Sequence, residues 1–344
     1  MTKFVTTATA FHRAAIYVVI AGAAGMFATG ASTLFEPPAA DIKAELAKAT
    51  TSAAPASEER AAQTATKFAL SASAALAKPV GVTLASSTGK LWDLFREIGY
   101  EIDGVRARGE VPRLFLASLP HDLKTLTRAS LRKITFIKST LPLILHVNEL
   151  IMQDRKRLIS IGTRLKAGDR LPAPDAAWLT EMAETYGLDR PDPVVLLDRM
   201  DVIPPSLAIA QAAEESGWGT SRFAQEGNAL FGQRSYRAHR KGIVPLERAE
   251  GKGFKVRAFD HLIDGVKAYA HNLNSHFAYA EFRSRRAEMR AATGHIDGHS
   301  LAGTLMSYSE RGDDYIKTIR LIMRFNALQV FDAARLGDSV APDA

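Results

Sequence analysis

The hydrophobic positions divide the chain into regions with different patterns. An uncharged apolar run covers residues 14–30 (AAIYVVIAGAAGMFATG), behind the basic residues Lys3 and Arg13. Such a run behind a basic flank is typical of an export signal or a single membrane anchor, and its small residues permit cleavage after Gly30. We therefore expect residues 1–32 to direct export or to anchor the chain in the inner membrane.

Residues 33–90 contain few large apolar side chains and are rich in Ala, Ser, Thr and Pro. A segment of this composition buries too little apolar surface to offset the entropy lost on ordering. We interpret it as a flexible tether, in which the alanines favour transient helix. The folded domain is then expected over residues 91–335, and residues 336–344 are expected to form a disordered tail.

Helical periodicity dominates the first half of the expected domain. An extended segment, VPRLFLASLP (111–120), comes first. Apolar residues then recur at three- and four-residue spacing, which predicts helices over about 127–140 and 142–165. A break or kink between them is expected at Pro142, because proline removes a backbone donor and clashes with the preceding turn.

Start and stop signals predict further elements in the second half. Pro174 and Gly187 bracket one helix over about 175–186, and Tyr315 opens the last helix. An amphipathic helix over 260–274 has Asp260 as its expected N-cap and an apolar face formed by Leu262, Val266, Tyr269 and Leu273. A glycine-containing stretch near 237–259 predicts a small β-hairpin lobe, with KVRAF (255–259) as its return strand. The fold class is therefore mainly α (α+β).

The candidate chemistry lies in residues 203–236. Two prolines open a predicted helix and Gly217 ends it, so the helix should stop just after Glu215. The negative end of the helix dipole and a wall formed by Trp218 would both raise the pKa of this carboxyl group. A carboxylic acid that stays protonated near neutral pH can protonate the leaving oxygen of a glycosidic bond. Taken alone, a glutamate at a helix end is more often a surface charge.

The residues that follow strengthen the interpretation of Glu215 as an acid. A Gly-Trp-Gly loop comes directly after it, followed by the amide of Asn228 and then Leu230, Phe231 and Gly232. Sugar sites combine flat aromatic faces with amide hydrogen bonds in this way. Each of these residues alone would more often be a turn or core residue, and only their combination indicates a sugar site.

Charge and composition limit the partners. The net charge of +7 favours anionic polymers or surfaces. The basic residues are spread along the chain without a helix-turn-helix, zinc-finger or RNA-binding signature, so no nucleic-acid partner is expected. Cysteine is absent, which excludes disulfides, thiolate zinc sites and cysteine nucleophiles. His261, His271 and His276 lack the compact spacing of a zinc motif, so neither a metal nor a cofactor is expected.

The motif from Ala212 to Gly232 resembles the hallmark of bacterial glucosaminidases of lysozyme-like fold, which include the flagellar peptidoglycan hydrolase domain and many autolysins. That hallmark is Ala-x-x-Glu-Ser-x-Trp-Gly followed by Asn-x-x-Phe-Gly, and both parts are present here. The resemblance covers about residues 105–330. More narrowly, four stretches are similar to the Bax subgroup of exported glucosaminidase-like proteins in Gram-negative bacteria: 113–120, 141–151, 203–233 and 268–283.

The resemblance implies a lysozyme-like helical domain that hydrolyses β-1,4 bonds of N-acetylglucosamine in peptidoglycan glycan strands. Glu215, rather than Glu214, aligns with the catalytic acid of the family. The second catalytic group stays open among Glu250 and Glu247 of the lobe, Tyr315, and the acetamido group of the substrate itself. Glu250 is favoured among the lobe acids because glycines beside it would make a mobile tip. The implied sugar-binding residues are Trp218, Asn228, Phe231, Gln233 and Tyr308.

Two other functions remain compatible with the sequence. A muramidase or a lytic transglycosylase would cut the neighbouring bond with the same fold and one acid. A non-catalytic scaffold would bind the cell wall without cutting it. In each case we expect the protein to lie in the periplasm or cell envelope, either released there or anchored in the inner membrane.

Overall fold

A computed structural model describes residues 82–83, 87–235, 241–246 and 254–340. The segment predicted as an export signal or anchor lies outside the described residues, as do most of the predicted tether and both lobe acids, Glu247 and Glu250. The described part is mainly helical with a few short strands, which confirms the mainly α (α+β) class.

The elements are numbered in chain order. The α-helices are α1 (Thr88–Glu97), α2 (Ile102–Arg108), α3 (Ala129–Lys166), α4 (Ala173–Thr185), α5 (Pro193–Arg199), α6 (Pro205–Ser216), α7 (Arg222–Gly227), α8 (Leu262–Ser275), α9 (Ala280–Thr293), α10 (Gly298–Leu301) and α11 (Asp313–Phe325). The strands are β1 (Val82–Thr83), β2 (Glu110–Arg113), β3 (Phe115–Leu116), β4 (Arg234–Ser235), β5 (Gly242–Ile243), β6 (Lys255–Arg257) and β7 (Arg335–Val340). Short 3-10 helices cover His121–Thr125, Phe277–Tyr279, Ala302–Thr304 and Gln329–Ala333.

Helix α3 is continuous, so the predicted break at Pro142 is wrong. An internal proline costs about 3 kcal/mol in a helix, because the carbonyl group four residues earlier, here that of Lys138, loses its donor. Residues 135–148 are all buried, however, and α3 packs against α5, α6 and α8. Burial on every side of this stretch offsets the local cost, and periodicity alone does not reveal it.

Helix α3 is also long and apolar enough to cross a membrane, and it is the one such helix within the described ranges. In its most apolar window, 78% is buried inside the fold. The apolar residues of this window are therefore mainly core residues of the domain.

Helix α6 lies at the centre of the main hydrophobic core. Residues 205–213 are all buried, and α3, α10, α11 and the Gln329–Ala333 turn pack around the helix. A helix that is apolar on all sides must be enclosed by other elements to be stable. The position of its C-terminal end, which carries Glu215, is therefore fixed by packing from several directions.

The predicted β lobe is confirmed, although it is a three-stranded sheet that begins at Arg234. Its strand order is β4-β6-β5, and both pairs are antiparallel. Val256 of β6 is opposite Arg234 on one side and Ile243 on the other. The predicted return strand is thus the central strand of the lobe.

Both ends of the folded part differ from the predicted boundaries. Helix α1 begins at Thr88, ahead of residue 91, because the Thr88 amide and hydroxyl both donate to the Asp122 carboxylate at 2.8 and 2.7 Å. The predicted disordered tail from residue 336 is wrong up to Val340, since β7 pairs in parallel with β2. Both corrections depend on partners far away in sequence, which local composition does not show.

Helix α8 has the predicted apolar face, since its residues Leu262, Val266, Tyr269 and Leu273 are all at most 2% exposed. Its N-cap is His261 rather than Asp260. The Asp264 carboxylate accepts from the His261 amide at 3.3 Å, while Asp260 pairs instead with Lys241 beside the lobe. The local pairing of His261 with Asp264 thus places the N-cap one residue after the predicted position.

Candidate active site

The candidate active site is built on the C-terminal end of α6. The helix ends at Ser216, and Gly217 follows with φ 58° in the left-handed region, as the sequence predicts. Such a conformation is the common way to close a helix, and glycine adopts it without strain. The last turn of α6 therefore presents Glu215 where the chain reverses.

The turn after Glu215 is held from inside the helix. The Ser216 hydroxyl donates to the Ala212 carbonyl at 2.5 Å and accepts from the Gly219 amide at 2.9 Å. Gly219 has φ 79°, and a Cβ there would lie 2.5 Å from Cδ1 of Leu119. Glycine is thus required at position 219 by close packing as well as by the turn. The Gly-Trp-Gly turn also sets the position of Trp218.

The environment of Glu215 raises its pKa to about 8. Burial is the main cause, because it disfavours the charged form, and the charge of Glu214 adds to it. The Tyr315 hydroxyl and the charges of Arg311 and Arg234 act in the opposite direction. The side chain keeps partial access to solvent although its carboxyl group lies deep among protein atoms. An acid in these surroundings is protonated at neutral pH and can still be reached.

A line of hydrogen bonds leads to this acid from neighbouring helices. The Tyr269 hydroxyl of α8 donates to Oε1 of Gln211 at 2.7 Å, and Nε2 of Gln211 donates to the Tyr315 hydroxyl of α11 at 3.0 Å. Tyr315 in turn is within hydrogen-bonding reach of the Glu215 carboxyl group. Burial raises the pKa of both tyrosines well above the ordinary value, so both phenols keep their protons.

Glu214 has a different environment from that of its neighbour. Its carboxylate accepts from Nη1 of Arg311 at 2.6 Å, and Nη2 of Arg311 donates to Thr318 at 2.7 Å. The pair is about three-quarters buried. Glu214 is thus an ion-paired carboxylate that ties α6 to α11, rather than an outward-facing charge.

Tyr308, Tyr315 and Phe231 lie in an aromatic layer around Glu215. The ring of Tyr308 stacks on that of Tyr315 at 5.4 Å, and Phe231 stacks on Tyr269 at 3.8 Å with 5° between the ring planes. All four rings are buried. Each ring stacks with one face on its neighbour, and the four rings lie around the acid. Contact of Tyr308 or Phe231 with a sugar stays a prediction.

The structure places Trp218 and Asn228 in different surroundings. Trp218 is half-buried, with its ring 5.8 Å from that of Phe136 and 5.3 Å from the Lys133 ammonium group. Asn228 is buried and donates through Nδ2 to the carbonyl groups of Phe259 and Asp260, at 3.2 and 3.0 Å. Trp218 keeps an accessible part that a sugar could contact. The Asn228 amide nitrogen instead fastens the end of α7 to the loop before α8.

Gln233 and Gly232 complete the segment. Gln233 is half-buried, and its Oε1 is buried with no hydrogen-bond partner among the described residues. Gly232 has φ 61°, and a Cβ there would lie 3.6 Å from Oε2 of Glu215. The backbone therefore passes close beside the acid at a position that favours glycine.

Several residues of this site are not identified by the sequence motifs. These are Gln211, Tyr269, Arg311 and Arg234, each of which contacts or electrostatically affects Glu215 or Tyr315. A signal for Gln211 does exist, since it is a polar residue on an apolar helix, four positions before Glu215 and so on the same face. Tyr269 and Arg311 come from distant parts of the chain, and Arg234 directly follows Gln233.

Within the described ranges, no group of three or more His, Cys, Asp or Glu side chains is arranged to hold a metal ion. His271 is buried beside Ser275, and burial lowers its pKa to about 3. It is therefore a neutral core residue at physiological pH.

Comparison with known proteins agrees with this geometry. Residues 195–326 match the glucosaminidase family, described as mannosyl-glycoprotein endo-β-N-acetylglucosaminidase. The protein bax of Escherichia coli (strain K12) is 35% identical over 205 residues, which cover 58% of this chain and 71% of that protein. No solved structure matches the chain, so the lysozyme-like character implied by the sequence stays a prediction.

The region that matches the family begins in α5 and ends just after α11, and it contains Glu215, Tyr315 and the aromatic layer. The chain therefore belongs to the glucosaminidase family of glycoside hydrolases, as a Bax-type member.

Proposed function

We propose that the protein hydrolyses β-1,4 bonds in peptidoglycan glycan strands as an endo-β-N-acetylglucosaminidase, with Glu215 as the general acid. The observation that carries this proposal is the state of Glu215, which is buried enough to hold a proton at neutral pH and yet partly accessible. Glycosidic cleavage needs such a group, because the leaving oxygen must be protonated as the bond breaks.

In this mechanism Tyr315 orients the acid. Its hydroxyl is within hydrogen-bonding reach of the Glu215 carboxyl group and accepts from Nε2 of Gln211. The positive charge that develops on the sugar is then met either by the substrate's own acetamido oxygen or by Glu250 of the lobe. Inversion in the first product would indicate Glu250 acting as a base toward water, whereas retention is expected for attack either by the acetamido group or by Glu250 itself.

The glycan strand would lie over the partly exposed side of Glu215. Trp218 offers the accessible aromatic surface beside it. Gln233 is half-buried, and contact with a sugar requires its buried Oε1 to turn outward. In this proposal Phe231 and Tyr308 keep the site rigid through their stacking on Tyr269 and Tyr315.

The proposal places the protein in the periplasm or cell envelope, exported through residues 1–32 and held at the inner membrane if this segment is retained. The apolar run behind Lys3 and Arg13 and the net charge of +7 support this location. Fractionation of cells that carry a C-terminal tag tests it. Recovery in the cytoplasmic fraction would contradict it.

Digestion of purified peptidoglycan sacculi tests the activity. We expect the wild type to release fragments with N-acetylglucosamine at their reducing ends, identified by mass spectrometry. E215Q should lower the rate by at least about 100-fold, as expected for loss of a general acid. E226Q is the matched control, because Glu226 is an exposed glutamate on α7 that pairs with Arg222.

Other products would change the assignment. N-acetylmuramic acid ends would indicate a muramidase, and anhydro ends would indicate a lytic transglycosylase. Sacculus binding by the wild type without any release would overturn the hydrolase and favour a scaffold.

A further inference from the structure

Gln211 links three helices at a single buried point. It lies on α6 one turn before Glu215 and is 0% exposed. Its amide accepts from Tyr269 of α8 and donates to Tyr315 of α11, and both tyrosines are at most 2% exposed. No solvent reaches this line of groups, so each polar atom depends on the partner that the protein provides.

The two ends of the Gln211 side-chain amide are chemically different. The chain of hydrogen bonds from Tyr269 through Gln211 to Tyr315 therefore has a direction. Oε1 can only accept and Nε2 can only donate. Because the Tyr269 proton is directed at Oε1, Nε2 must be directed at Tyr315. The Tyr315 oxygen is then occupied as an acceptor, and its own proton is free to point toward the Glu215 carboxyl group.

The reversed arrangement would be worse for Glu215 and for Tyr269. With the amide turned round, Oε1 would accept the Tyr315 proton and Glu215 would lose its donor. The Tyr269 proton would then have no acceptor in this line, in a place without water. The direction is therefore set at Tyr269, although this residue does not take part in the hydrogen bond to the acid.

We propose that Gln211 is a positioning residue that, together with Tyr269, fixes the direction of hydrogen bonding so that the Tyr315 proton always faces Glu215. The proposal rests on the proposed function of Glu215 as the acid. In it, one carboxyl oxygen of Glu215 is held by Tyr315, and the transferable proton stays on the other oxygen, which faces the substrate.

The experiment measures the pKa of Glu215 directly, by infrared or NMR titration of its carboxyl group in the full chain, with E215Q identifying the signal. Y315F removes the donor and should raise this pKa by roughly one unit, as loss of one hydrogen bond to a charged group implies. Q211M should raise it in the same direction, and so should Y269F, which keeps the ring that stacks on Phe231.

Two further variants test whether Gln211 acts through Tyr315. The double variant Q211M/Y315F should have the same Glu215 pKa as Y315F alone, because nothing remains for Gln211 to direct. Y100F is the matched control, since Tyr100 is a buried tyrosine whose hydroxyl has no hydrogen-bond partner among the described residues. It should leave the Glu215 pKa unchanged.

The outcomes distinguish this proposal from the proposed function. If the Glu215 pKa is unchanged in Y269F and Q211M while sacculi are still digested, the positioning role is overturned and the glycosidase stands. If the pKa shifts as expected but the wild type releases no fragments, the positioning role stands and the glycosidase fails. If Q211M does not fold, the Glu215 pKa in Y269F alone tests the positioning role, because this substitution removes only one buried hydroxyl group.

Discussion

The Ser216 hydroxyl accepts a hydrogen bond from the Gly219 amide at 2.9 Å, across the turn that directly follows the candidate acid. The same hydroxyl donates to the Ala212 carbonyl inside α6. One buried side chain therefore connects the rigid core helix with the Gly-Trp-Gly loop. The geometry of the turn beside Glu215 therefore depends on Ser216.

Replacement of Ser216 by alanine should lower the free energy of unfolding by about 1–2 kcal/mol, because the Gly219 amide is left without a partner in a buried place. Activity on sacculi should fall as well, since the turn that carries Trp218 loses one of its hydrogen bonds. Urea unfolding measures the first effect. S284A changes an exposed serine on α9 and should be neutral; an equal effect of the two substitutions would contradict the role of Ser216.

Replacement of Gly219 by alanine should destabilise the fold by about 2–4 kcal/mol. The new Cβ would lie 2.5 Å from Leu119 and 3.0 Å from Phe136, and φ is 79°. Gly99 provides the control, because it has φ 63° with nothing within 4 Å. G99A should therefore cost only the backbone strain, ~1 kcal/mol. Similar losses in thermal unfolding would show that packing at Gly219 is unimportant.

The activity of the wild type should decline above pH about 8, where Glu215 loses its proton. E214Q should move this decline to lower pH. The substitution removes the negative charge that raises the Glu215 pKa, and it also frees the Arg311 charge that lowers it. The measurement is kcat/KM against pH on soluble glycan fragments. A shift to higher pH would contradict the electrostatic assignment, and E226Q should produce no shift.

Glu215 should also make stability depend on pH. Its pKa is about 8 in the folded protein against an ordinary value of 4.5, so between these values the folded state binds more protons than the unfolded state. Stability contributed by this group is complete below pH 4.5 and is lost as pH rises toward 8. We expect E215Q to become more stable relative to the wild type across this window, as measured by thermal unfolding. A constant difference would show that the folded-state pKa is not raised.

Lys138 should show the opposite dependence. Its side chain is buried against the rings of Trp92, Phe95 and Tyr100, with Nζ 4.2–5.1 Å from their centroids. Burial lowers its pKa from 10.5 to about 8, so between these values the unfolded state binds more protons and stability rises with pH.

K138M should abolish this rise between pH 8 and 10.5, as measured by urea unfolding at a series of pH values. K156M is the control, because Lys156 is an exposed lysine on the same helix. If the wild type and K138M have parallel pH profiles, the three rings keep the ammonium group charged throughout this range.

Sequence patterns predicted those features of the fold that depend on neighbouring residues. The end of α6 at Gly217, the apolar face of α8 and the strand at Lys255–Arg257 all follow from local periodicity and turn chemistry. Two of the errors share one cause. Pro142 lies inside a helix and the chain after Leu336 forms a strand, each because of a partner distant in sequence.

The sequence by itself determined the candidate acid and the turn behind it, because Glu215, Gly217 and Trp218 are adjacent and their conformations are set locally. Only the tertiary structure decided what surrounds the acid. Gln211, Tyr269 and Tyr315 come from three helices, and they meet because those helices bury their apolar faces together. Desolvation and hydrogen-bond direction are properties of that packed arrangement, and no pattern within one segment encodes them.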